Sequence, residues 1–507
     1  MSLKRNLVAN YFGQGWGALM GLAFIPQYIK YLGIEAYGLI GLFAILQVWL
    51  SLLDMGMTPT LGREMARFTG GEHSNESIRD LLRTIEIIAV GIAFLVAGGV
   101  ALSSHWIASA WLKAEALPVE LVAQAFSIMG LVTALRFLEG VYRSAIVGLQ
   151  RQVLFNVVHS VMATLRGFGA VVILAGVSAT IEAFFIWQGI VSISTLGILL
   201  IATYGSLPRG DRSGRFSTKT LRDVWRFAGG MLGITFLAML LTQVDKILLS
   251  KLLPLSEFGY YTLAATVAGV IPVLIGPIIQ AFYPRLCELH ARNDEIALAD
   301  TYHKGSQLVS VTAGSLAVVL VLFSEIFLYL WTQDADLASR VAPLLSLLAL
   351  GNLLNGLMWM PYQTQLAYGW TSLTMRINIV AVSVIVPSIF WTVPKYGAVG
   401  AAWVWVVLNI GYIFLAVHLM YRRILPSEKL YWYQQDLLMP LLGALIPVVL
   451  IKIVMPVSEN TFVQAMAISM AIGTALLAST IAADQLREQA LSFMQALIAK
   501  LLPNQRL

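Results

Sequence analysis

Long apolar stretches separated by short polar loops run along the whole chain. Each is about as long as the roughly 20 residues that an α-helix needs to cross a bilayer. They fall at about 8–30, 36–58, 84–104, 121–147, 155–176, 181–204, 227–250, 259–282, 305–331, 341–366, 371–392, 397–421, 437–455 and 461–483. The alternating pattern of barrel strands is absent, and a lipid-exposed backbone must satisfy its own hydrogen bonds. The pattern predicts an all-α polytopic membrane protein with about 14 transmembrane helices, arranged as two six-helix lobes plus two C-terminal helices.

Composition excludes the soluble classes of protein. Of the 507 residues, 58% are apolar and 12% are charged, whereas soluble domains carry roughly 25% charged residues. A soluble enzyme, a secreted scaffold and a disordered chain are therefore excluded. The single cysteine, Cys287, allows no internal disulfide and no cysteine-cluster metal site. The basic start Met1–Arg5 leads into an apolar stretch too long for a signal peptide, so we expect an uncleaved first span.

The distribution of basic residues predicts the orientation of the spans. With an even number of spans and a cytoplasmic N-terminus, 24 of the 33 Lys and Arg residues lie inside and seven lie outside. Arg136 and Arg166 fall within spans. Such a bias follows the positive-inside rule, so both termini are expected to be cytoplasmic. The net charge of +6 is then explained by cytoplasmic loops rather than by binding of nucleic acid.

A basic segment rich in Gly and Ser divides the chain. The composition of this segment, 207-225, predicts a cytoplasmic linker whose charge reflects topology and attraction to anionic lipid headgroups, with a regulatory or partner site as the alternative. It separates an N-terminal lobe, 1-206 (helices 1-6), from a C-terminal lobe, 226-423 (helices 7-12). Residues 424-483 supply helices 13-14. The tail 484-507 has apolar residues at helical spacing and predicts an amphipathic cytoplasmic helix.

Glycines mark close helix contacts and a faint internal repeat. Gly13, Gly17 and Gly21 form a small-residue stripe that lets a neighbouring helix approach. An aromatic residue followed by glycine recurs near the predicted outer start of three spans: Tyr37-Gly38, Phe258-Gly259 and Tyr396-Gly397. Both lobes start inside, so the repeat is parallel, which is compatible with alternating access.

Two arginines lie near the middle of predicted spans, where a charged side chain is costly and usually faces a cavity. Arg136 shares a face of the fourth span with Glu139 and Arg143, three and seven residues later. Arg166 lies in the fifth span, seven residues after His159. One carboxylate cannot neutralise three guanidiniums, so we expect a water-filled, anion-attracting cavity lined by these arginines. The alternative is a buried ion-pair network in which Glu139 is the partner of Arg136 and Arg143.

Acidic residues near span ends are weaker candidates. Asp245 lies in the outer third of the seventh span, where it is either a site that couples transport to an ion or proton, or a partner in helix packing. Asp54 ends the second span ahead of a Gly- and Pro-containing segment. It either caps the following helix or pairs with Arg63 in an inner gate.

No enzyme motif is present. The chain has no P-loop, no HExxH motif and no loop-borne carboxylate cluster suited to a metal. We therefore expect no catalytic residue, no metal and no cofactor. Transport energy must come from a gradient or from the substrate's own concentration difference.

Eight short segments occur in a characteristic order over essentially the whole chain. They are residues 31–38, 53–56, 245–249, 258–261, 282–286, 361–362, 367–369 and 396–402. Together they resemble Wzx-type O-antigen and capsule-unit flippases, in the polysaccharide transporter family of the multidrug/oligosaccharidyl-lipid/polysaccharide exporter superfamily. The resemblance is consistent with a two-lobe plan of 14 spans.

The resemblance implies flipping of an undecaprenyl-diphosphate-linked oligosaccharide from the cytoplasmic to the periplasmic leaflet of the bacterial inner (cytoplasmic) membrane, by alternating access. The diphosphate is anionic, and Arg136 and Arg166 would supply compensating charge. The implied partners are the lipid-linked oligosaccharide and membrane lipids, with a polysaccharide polymerase and a chain-length regulator as further candidates.

Three other functions are alternatives to this one. A flippase for the peptidoglycan lipid precursor shares the diphosphate headgroup. A drug or organic-cation antiporter of the same superfamily should have an acidic cavity and usually 12 spans, which the two mid-span arginines and the extra helices argue against. A membrane glycosyl polymerase or ligase needs a long catalytic loop outside, and the longest outside loop, about 105–120, offers too little.

Overall fold

A computed structural model of the chain describes residues 3–54, 56–71, 73–208, 214–218, 236, 239–455 and 460–488. These residues are almost entirely helical and contain no strand, which confirms the all-α fold. Eleven helical stretches among them are long and apolar enough to cross a membrane. The total of 14 spans stays a prediction.

The chain divides into two compact units, Met1–Gly259 and Tyr260–Leu507. The helices of unit 1 are α1 (Leu3–Ala23), α2 (Ile25–Leu50), α3 (Met57–Thr69), α4 (Asn75–Trp106), α5 (Val119–Gly148), α6 (Gln152–Gly176) and α7 (Ile181–Ser206). A 3-10 turn, Ser51–Asp54, follows α2, and a π-helical turn, Ile107–Trp111, follows α4. Residues 239–252 are also helical.

Helix α8 (Leu255–Ala268) begins in unit 1 and runs into unit 2. Unit 2 continues with α9 (Val270–Ala291), α10 (Glu295–Leu322), α11 (Ser324–Thr332), α12 (Ala335–Leu357), α13 (Trp359–Ala367), α14 (Thr371–Gly411), α15 (Val417–Tyr421), α16 (Lys429–Tyr431), α17 (Met439–Val454) and α18 (Thr461–Ala482). Its irregular turns are the π-helical Tyr412–Ala416 and Trp432–Leu438 and the 3-10 turn Pro426–Glu428.

Two glycines with positive φ interrupt long helices between neighbouring spans. Gly33 (φ 81°) breaks α2 into two parts. The part of α2 before Gly33 continues the first predicted span, and the part after Gly33 forms the second. Gly397 (φ 59°, ψ −148°) breaks the 41-residue α14 between the predicted spans 371–392 and 397–421. The backbone at Gly397 is accessible almost exclusively to glycine. Both glycines belong to the segments that carry the family resemblance.

The core of unit 1 lies where the short amphipathic α3 packs on α4 and α5. Met57, Leu61 and Met65 of α3 and Leu82 and Ile85 of α4 are each less than 5% exposed and form one buried cluster. Helix α3 can approach α5 closely because Gly148 lies directly against the backbone of Gly62. This cluster fixes one end of α5, the helix that carries Arg136.

The core of unit 2 joins α10 to the two C-terminal helices. Val319 and Phe323 at the end of α10 pack against Ala444 and Val448 of α17 and Ala471 of α18. The small alanines bring these helices together. Residues 424-483, predicted as an addition to the six-helix lobe, therefore contribute to the core of this unit.

The predicted linker and tail fall largely on residues outside those described. Of the segment 207-225, Arg215 and Ser217 lie along the start of α4, where their backbone N–H groups donate to Asp80 Oδ1 (2.6 Å) and Thr84 Oγ1 (3.0 Å). The tail is described only to Glu488. The amphipathic helix predicted over 484-507 and the lobe boundaries stay predictions.

Candidate functional site

Arg136 lies in the middle of α5 and is held by two neutral side chains. Its Nη1 donates to Gln47 Oε1 of α2 at 2.7 Å, and its Nη2 donates to Gln188 Oε1 of α7 at 2.9 Å. The guanidinium lies 4.8 Å from the ring centre of Phe43, a cation–π contact. Its Nε is buried and has no hydrogen-bond partner among the described residues. Because the partners are neutral, the positive charge of Arg136 is not cancelled by them.

Arg166 of α6 lies beside Glu139, one turn after Arg136 on α5. Arg166 Nη2 is 3.6 Å from Glu139 Oε1, an ion pair slightly longer than a hydrogen bond. Within the described part of the chain, Arg166 Nε and Nη2 and Glu139 Oε1 are buried without a hydrogen-bond partner. The side chains keep 24% and 14% of their surface exposed, respectively. The pair is thus close but incompletely satisfied.

Gln188 connects the two arginines. Its Oε1 accepts from Arg136, and its Nε2 donates to the backbone oxygen of Arg166 at 3.4 Å. Helices α2, α5, α6 and α7 therefore meet at one polar cluster, Arg136, Glu139, Arg166, Gln47 and Gln188, which we call the arginine cluster. Its two guanidiniums and one carboxylate leave one net positive charge.

The arginine cluster can bind an anion. Three of its guanidinium nitrogens, on Arg136 and Arg166, are buried without a hydrogen-bond partner in the described regions. A buried donor that lacks a hydrogen bond costs roughly 1–3 kcal/mol. Phosphate oxygens would accept strong, charge-assisted hydrogen bonds from such donors. The described residues contain no group of His, Cys, Asp and Glu side chains able to hold a metal.

Arg143 lies apart from this hydrogen-bonded arrangement. It is exposed, and its guanidinium lies 5.2 Å from the ring centre of Phe155. The Phe155 ring in turn stacks on His159, with ring centres 5.6 Å apart. In the alternative network of the sequence analysis Glu139 pairs with Arg136 and Arg143, whereas here its ion pair is with Arg166.

The glycine stripe on α1 brings α1 against α6. Gly13 lies directly against Asn156, and a Cβ at Gly17 would lie 2.8 Å from His159 Nε2. The predicted close helix approach is confirmed at these two glycines, whereas Gly21 has open space. This packing helps to fix α6, which carries Arg166.

Asp54 and Arg63 have separate partners at the start of α3. The Asp54 carboxylate accepts hydrogen bonds from the backbone N–H (3.1 Å) and hydroxyl (2.8 Å) of Thr58 and so caps the first turn. Arg63 pairs with Glu64, with Nη2 and Oε1 2.8 Å apart. This geometry is that of a helix cap.

Glu64 of α3 has three basic partners, two on the same helix and one just after it. It interacts with His73 at 2.7 Å, with Arg67 at 3.4 Å and with Arg63. Burial by itself would raise the pKa of Glu64, but the hydrogen bonds from His73 and Arg63 and the charge of Arg67 hold that pKa below its usual value.

Asp245 lies within the helical residues 239–252 at the end of unit 1. The neighbouring Lys246 donates to the Thr242 backbone oxygen at 3.1 Å and to Gln243 Oε1 at 3.3 Å. A role for Asp245 in coupling to an ion stays a prediction.

Sequence reasoning missed the two glutamines of the arginine cluster. Gln47 and Gln188 lie inside apolar stretches, where a polar amide side chain usually forms a hydrogen bond to another helix. Their position in the middle of predicted spans was the available signal. Because they are uncharged, the distribution of charges along the chain gives no sign that they are partners of Arg136.

Comparisons with solved structures give the same fold. The structure titled lipid II flippase MurJ, inward closed conformation, is 14% identical and covers 94% of this chain and 98% of its own, with a TM-score of 0.66. An inward-facing multidrug resistance transporter of the MATE family and MOP superfamily is 14% identical and covers 82% of this chain and 96% of its own, with a TM-score of 0.60.

Comparisons of sequence give the family. A protein of Shigella flexneri named "Putative O-antigen transporter" is 23% identical over 415 residues, which are 80% of this chain and 94% of that protein. The family described as "Polysaccharide biosynthesis protein" matches residues 3–290, more than half of the chain. Because this match covers more than half of the chain, the chain belongs to this polysaccharide biosynthesis family of multi-pass membrane proteins.

Proposed function

We propose that the protein is a flippase that moves undecaprenyl-diphosphate-linked oligosaccharide units from the cytoplasmic to the periplasmic leaflet of the bacterial inner membrane. The observation that carries this proposal is the arginine cluster, in which three buried guanidinium nitrogens, Arg136 Nε and Arg166 Nε and Nη2, lack hydrogen-bond partners among the described residues. Membership of the polysaccharide biosynthesis family and the O-antigen transporter relative support the substrate class.

The chemistry of a diphosphate fits the arginine cluster. A diphosphate linkage carries negative charge on each phosphate, and each offers several acceptor oxygens. Arg136 and Arg166 would donate to these oxygens, while Gln47 and Gln188 hold Arg136 in place. Partial burial strengthens these charge-assisted bonds relative to bulk water. Glu139 would weaken the attraction by one charge and so allow release.

An organic cation fits the same cluster poorly. The cluster has one net positive charge, and its unpartnered polar atoms are mostly donors. A cation would face repulsion from Arg136 and Arg166 at short range. The drug antiporter function therefore has little support from these residues, although the fold resembles that of MATE transporters.

The peptidoglycan lipid precursor is the second candidate substrate. It carries the same diphosphate headgroup, and the whole-chain fold resembles the lipid II flippase MurJ. The arginine cluster would contact the diphosphate, which both substrates share. The two substrates differ in their sugars, so this cluster does not distinguish them. The family and the O-antigen transporter relative favour the oligosaccharide unit.

The proposal extends to partners and orientation. The protein would work in the membrane by alternating access, without catalysing a reaction and without a cofactor. Both termini would lie in the cytoplasm, as the excess of basic residues in the predicted inside loops indicates. A polysaccharide polymerase and a chain-length regulator are the proposed protein partners, since a flipped unit must be polymerised.

Flipping in proteoliposomes tests the function. A fluorescent undecaprenyl-diphosphate oligosaccharide is placed in both leaflets, and its accessibility to an external quencher is followed. Wild-type protein should move it, and Arg166→Ala should move it about 10- to 100-fold more slowly, since one or two charge-assisted bonds of roughly 1.5–3 kcal/mol are lost. Arg151→Ala is the matched control, because Arg151 is exposed at the start of α6. Proton-driven uptake of an organic cation without flipping would contradict the proposal.

A further inference from the structure

Unit 2 contains a buried cluster built around a histidine. His303 of α10 places Nδ1 2.6 Å from Asp436 Oδ2 and Nε2 3.2 Å from Glu428 Oε2. Asp436 lies in the π-helical turn Trp432–Leu438, and Glu428 ends the 3-10 turn Pro426–Glu428. Asp436 is fully buried and His303 almost so, whereas 29% of the Glu428 side chain is exposed. We call these three residues the His303 triad.

The geometry of the triad requires one extra proton. A neutral imidazole has one N–H donor and one acceptor nitrogen. Both nitrogens of His303 face carboxylate oxygens, so a neutral ring beside two ionised carboxylates would set one lone pair against another. The Asp436 carboxylate also accepts from Gln307 Nε2 at 3.1 Å, and two donors stabilise its ionised form. The proton therefore belongs on His303, which then donates from both ring nitrogens.

The surroundings of the triad are negative. Asp484, which follows α18, accepts hydrogen bonds from Tyr431 and Gln307. Burial by itself would raise the pKa of Asp484, but these hydrogen bonds, together with the charge of Arg487, hold that pKa below its usual value. Asp484 thus stays ionised near Asp436, and an imidazolium at His303 offsets part of this charge.

Several other titratable groups on the packed elements have partners of their own. On α10, Lys304 pairs with Asp300 at 2.7 Å. Lys429 lies 2.7 Å from His418 Nδ1. The Tyr302 and Tyr421 hydroxyls are 2.8 Å apart, and Tyr433 donates to the Ile413 backbone oxygen. Among the described residues, the side chains that hydrogen-bond to Asp436 are His303 and Gln307, and of these two only His303 can carry a positive charge.

The backbone around the triad is irregular. Two π-helical turns, Tyr412–Ala416 and Trp432–Leu438, are joined by the 2.7 Å hydrogen bond from Tyr433 to Ile413. Leu425, just before the 3-10 turn that carries Glu428, has a left-handed backbone (φ 49°). Isolated π-helical turns occur frequently at functional sites. Loss of the proton would remove one ring hydrogen bond and loosen the contact between α10 and this region.

We propose that the His303 triad is a proton-binding site, which exchanges one proton with water through the partly exposed Glu428 carboxylate. The imidazole gains a proton on one ring nitrogen, and the same proton returns to Glu428 and water when the triad opens. Proton binding is argued from the triad alone. Its use in the transport cycle rests on the function proposed above, and there it would couple flipping to a proton gradient.

Nitrogen NMR of the histidine rings tests proton binding without transport. The purified full-length protein, labelled with ¹⁵N-histidine, is compared with His303→Gln and with the control His290→Gln. His290 packs its ring on Tyr368, 4.0 Å away, and is not part of the triad. A free histidine titrates near pH 6.5, so we expect one ring to stay doubly protonated at pH 8 in wild type and in His290→Gln, and to be missing in His303→Gln. Six neutral rings in the wild type at pH 8 would overturn the proposal.

The pH dependence of flipping tests the use of the proton. Because His303 is expected to keep its proton up to pH 8, wild-type flipping should change several-fold as the pH is raised from 8 to 9.5, while His303→Gln and Asp436→Asn should show a flat profile. Asp436→Asn provides a second test of the triad if His303→Gln fails to fold. Size-exclusion chromatography monitors folding of both variants. A pH profile in these folded variants identical to that of the wild type would overturn the coupling. Absence of flipping at every pH in the wild type would contradict the proposed function, whereas the NMR result would still decide the proton site.

Discussion

Arg136 is held by amides rather than by a carboxylate, and this difference decides its chemistry. Gln47 and Gln188 fix the guanidinium without cancelling its charge. A structural arginine would be expected to have a carboxylate partner, because an arginine at a helix centre costs roughly 2.5–3.5 kcal/mol on insertion scales. This arrangement favours a role for Arg136 in binding an anion over a purely structural role.

Arg136→Lys should reduce flipping about tenfold or more with little change in thermal stability. A lysine ammonium keeps the charge but lacks the planar fork that reaches Gln47 and Gln188 at once. Flipping rates in proteoliposomes and the melting temperature in detergent check this expectation. Arg151→Lys, at an exposed position, is the matched control. Equal flipping by Arg136→Lys and wild type would show that charge alone is sufficient.

Glu64 should contribute stability that is lost in acid. Its pKa in the folded protein is lower than usual, so its contribution is present above the ordinary glutamate pKa of about 4.3 and disappears as the pH falls through the lower, folded value. The difference in melting temperature between wild type and Glu64→Gln should therefore shrink between about pH 6 and pH 3. A difference that stays constant over this range would contradict the ion pairs with His73 and Arg63.

At the scale of elements, breaks within helices separate neighbouring spans. Gly397 combines positive φ with ψ near −150°, a backbone that other residues rarely adopt. A Cβ at this position would meet no atom within 4 Å, so any cost of a larger residue is conformational. The same reasoning applies to Gly33, which breaks α2.

Gly397→Ala should destabilise the protein by about 1–3 kcal/mol because of the strained backbone. Gly411→Ala is a matched control in the same helix, since Gly411 has helical φ and ψ and also open space. In a helix interior, alanine is favoured over glycine by roughly 0.5–1 kcal/mol. Denaturant or thermal unfolding in detergent should therefore show a loss for the first variant and none for the second. Equal stability of the two variants would argue against the break at Gly397.

The spans were predictable from the sequence, whereas several side-chain partners were not. The length of the apolar stretches alone locates α4 to α7. Arg136 and Arg166 are identifiable as candidates because a charge within a predicted span is unusual. The partners come from other helices: Arg136 meets Gln188 across 52 positions and His303 meets Asp436 across 133. Periodicity along one helix carries no information on which helices become neighbours. The capping role of Asp54 could be predicted, because it depends on the next four residues.

At the scale of the whole molecule, the chain divides into two units, each with its own core. The two C-terminal helices α17 and α18 belong to the core of unit 2 through α10. Sequence identified them as extra helices but could not show what they pack against. The fold as a whole resembles transporters with which the chain shares about one residue in seven.

The orientation of the molecule should follow its basic loops. In a Cys287→Ala background, Ser77→Cys at the start of α4 should react with a membrane-impermeant maleimide only from the cytoplasmic side. Ala179→Cys, in the loop between α6 and α7, should react only from the outside. Both positions are exposed, so accessibility depends on the side of the membrane. Labelling of both from one side would contradict the predicted topology.

Recognition of the diphosphate by the arginine cluster is the central claim, and headgroup binding to the purified protein tests it most directly. Undecaprenyl diphosphate, undecaprenyl monophosphate and undecaprenol are titrated into wild type, Arg136→Ala, Arg166→Ala and the control Arg151→Ala. We predict that wild type and the control bind the diphosphate most tightly, and that each cluster variant loses about 10- to 100-fold of that affinity and most of its preference over the monophosphate. Equal affinity of all four proteins for the three lipids would contradict the assignment of the arginine cluster as the substrate site.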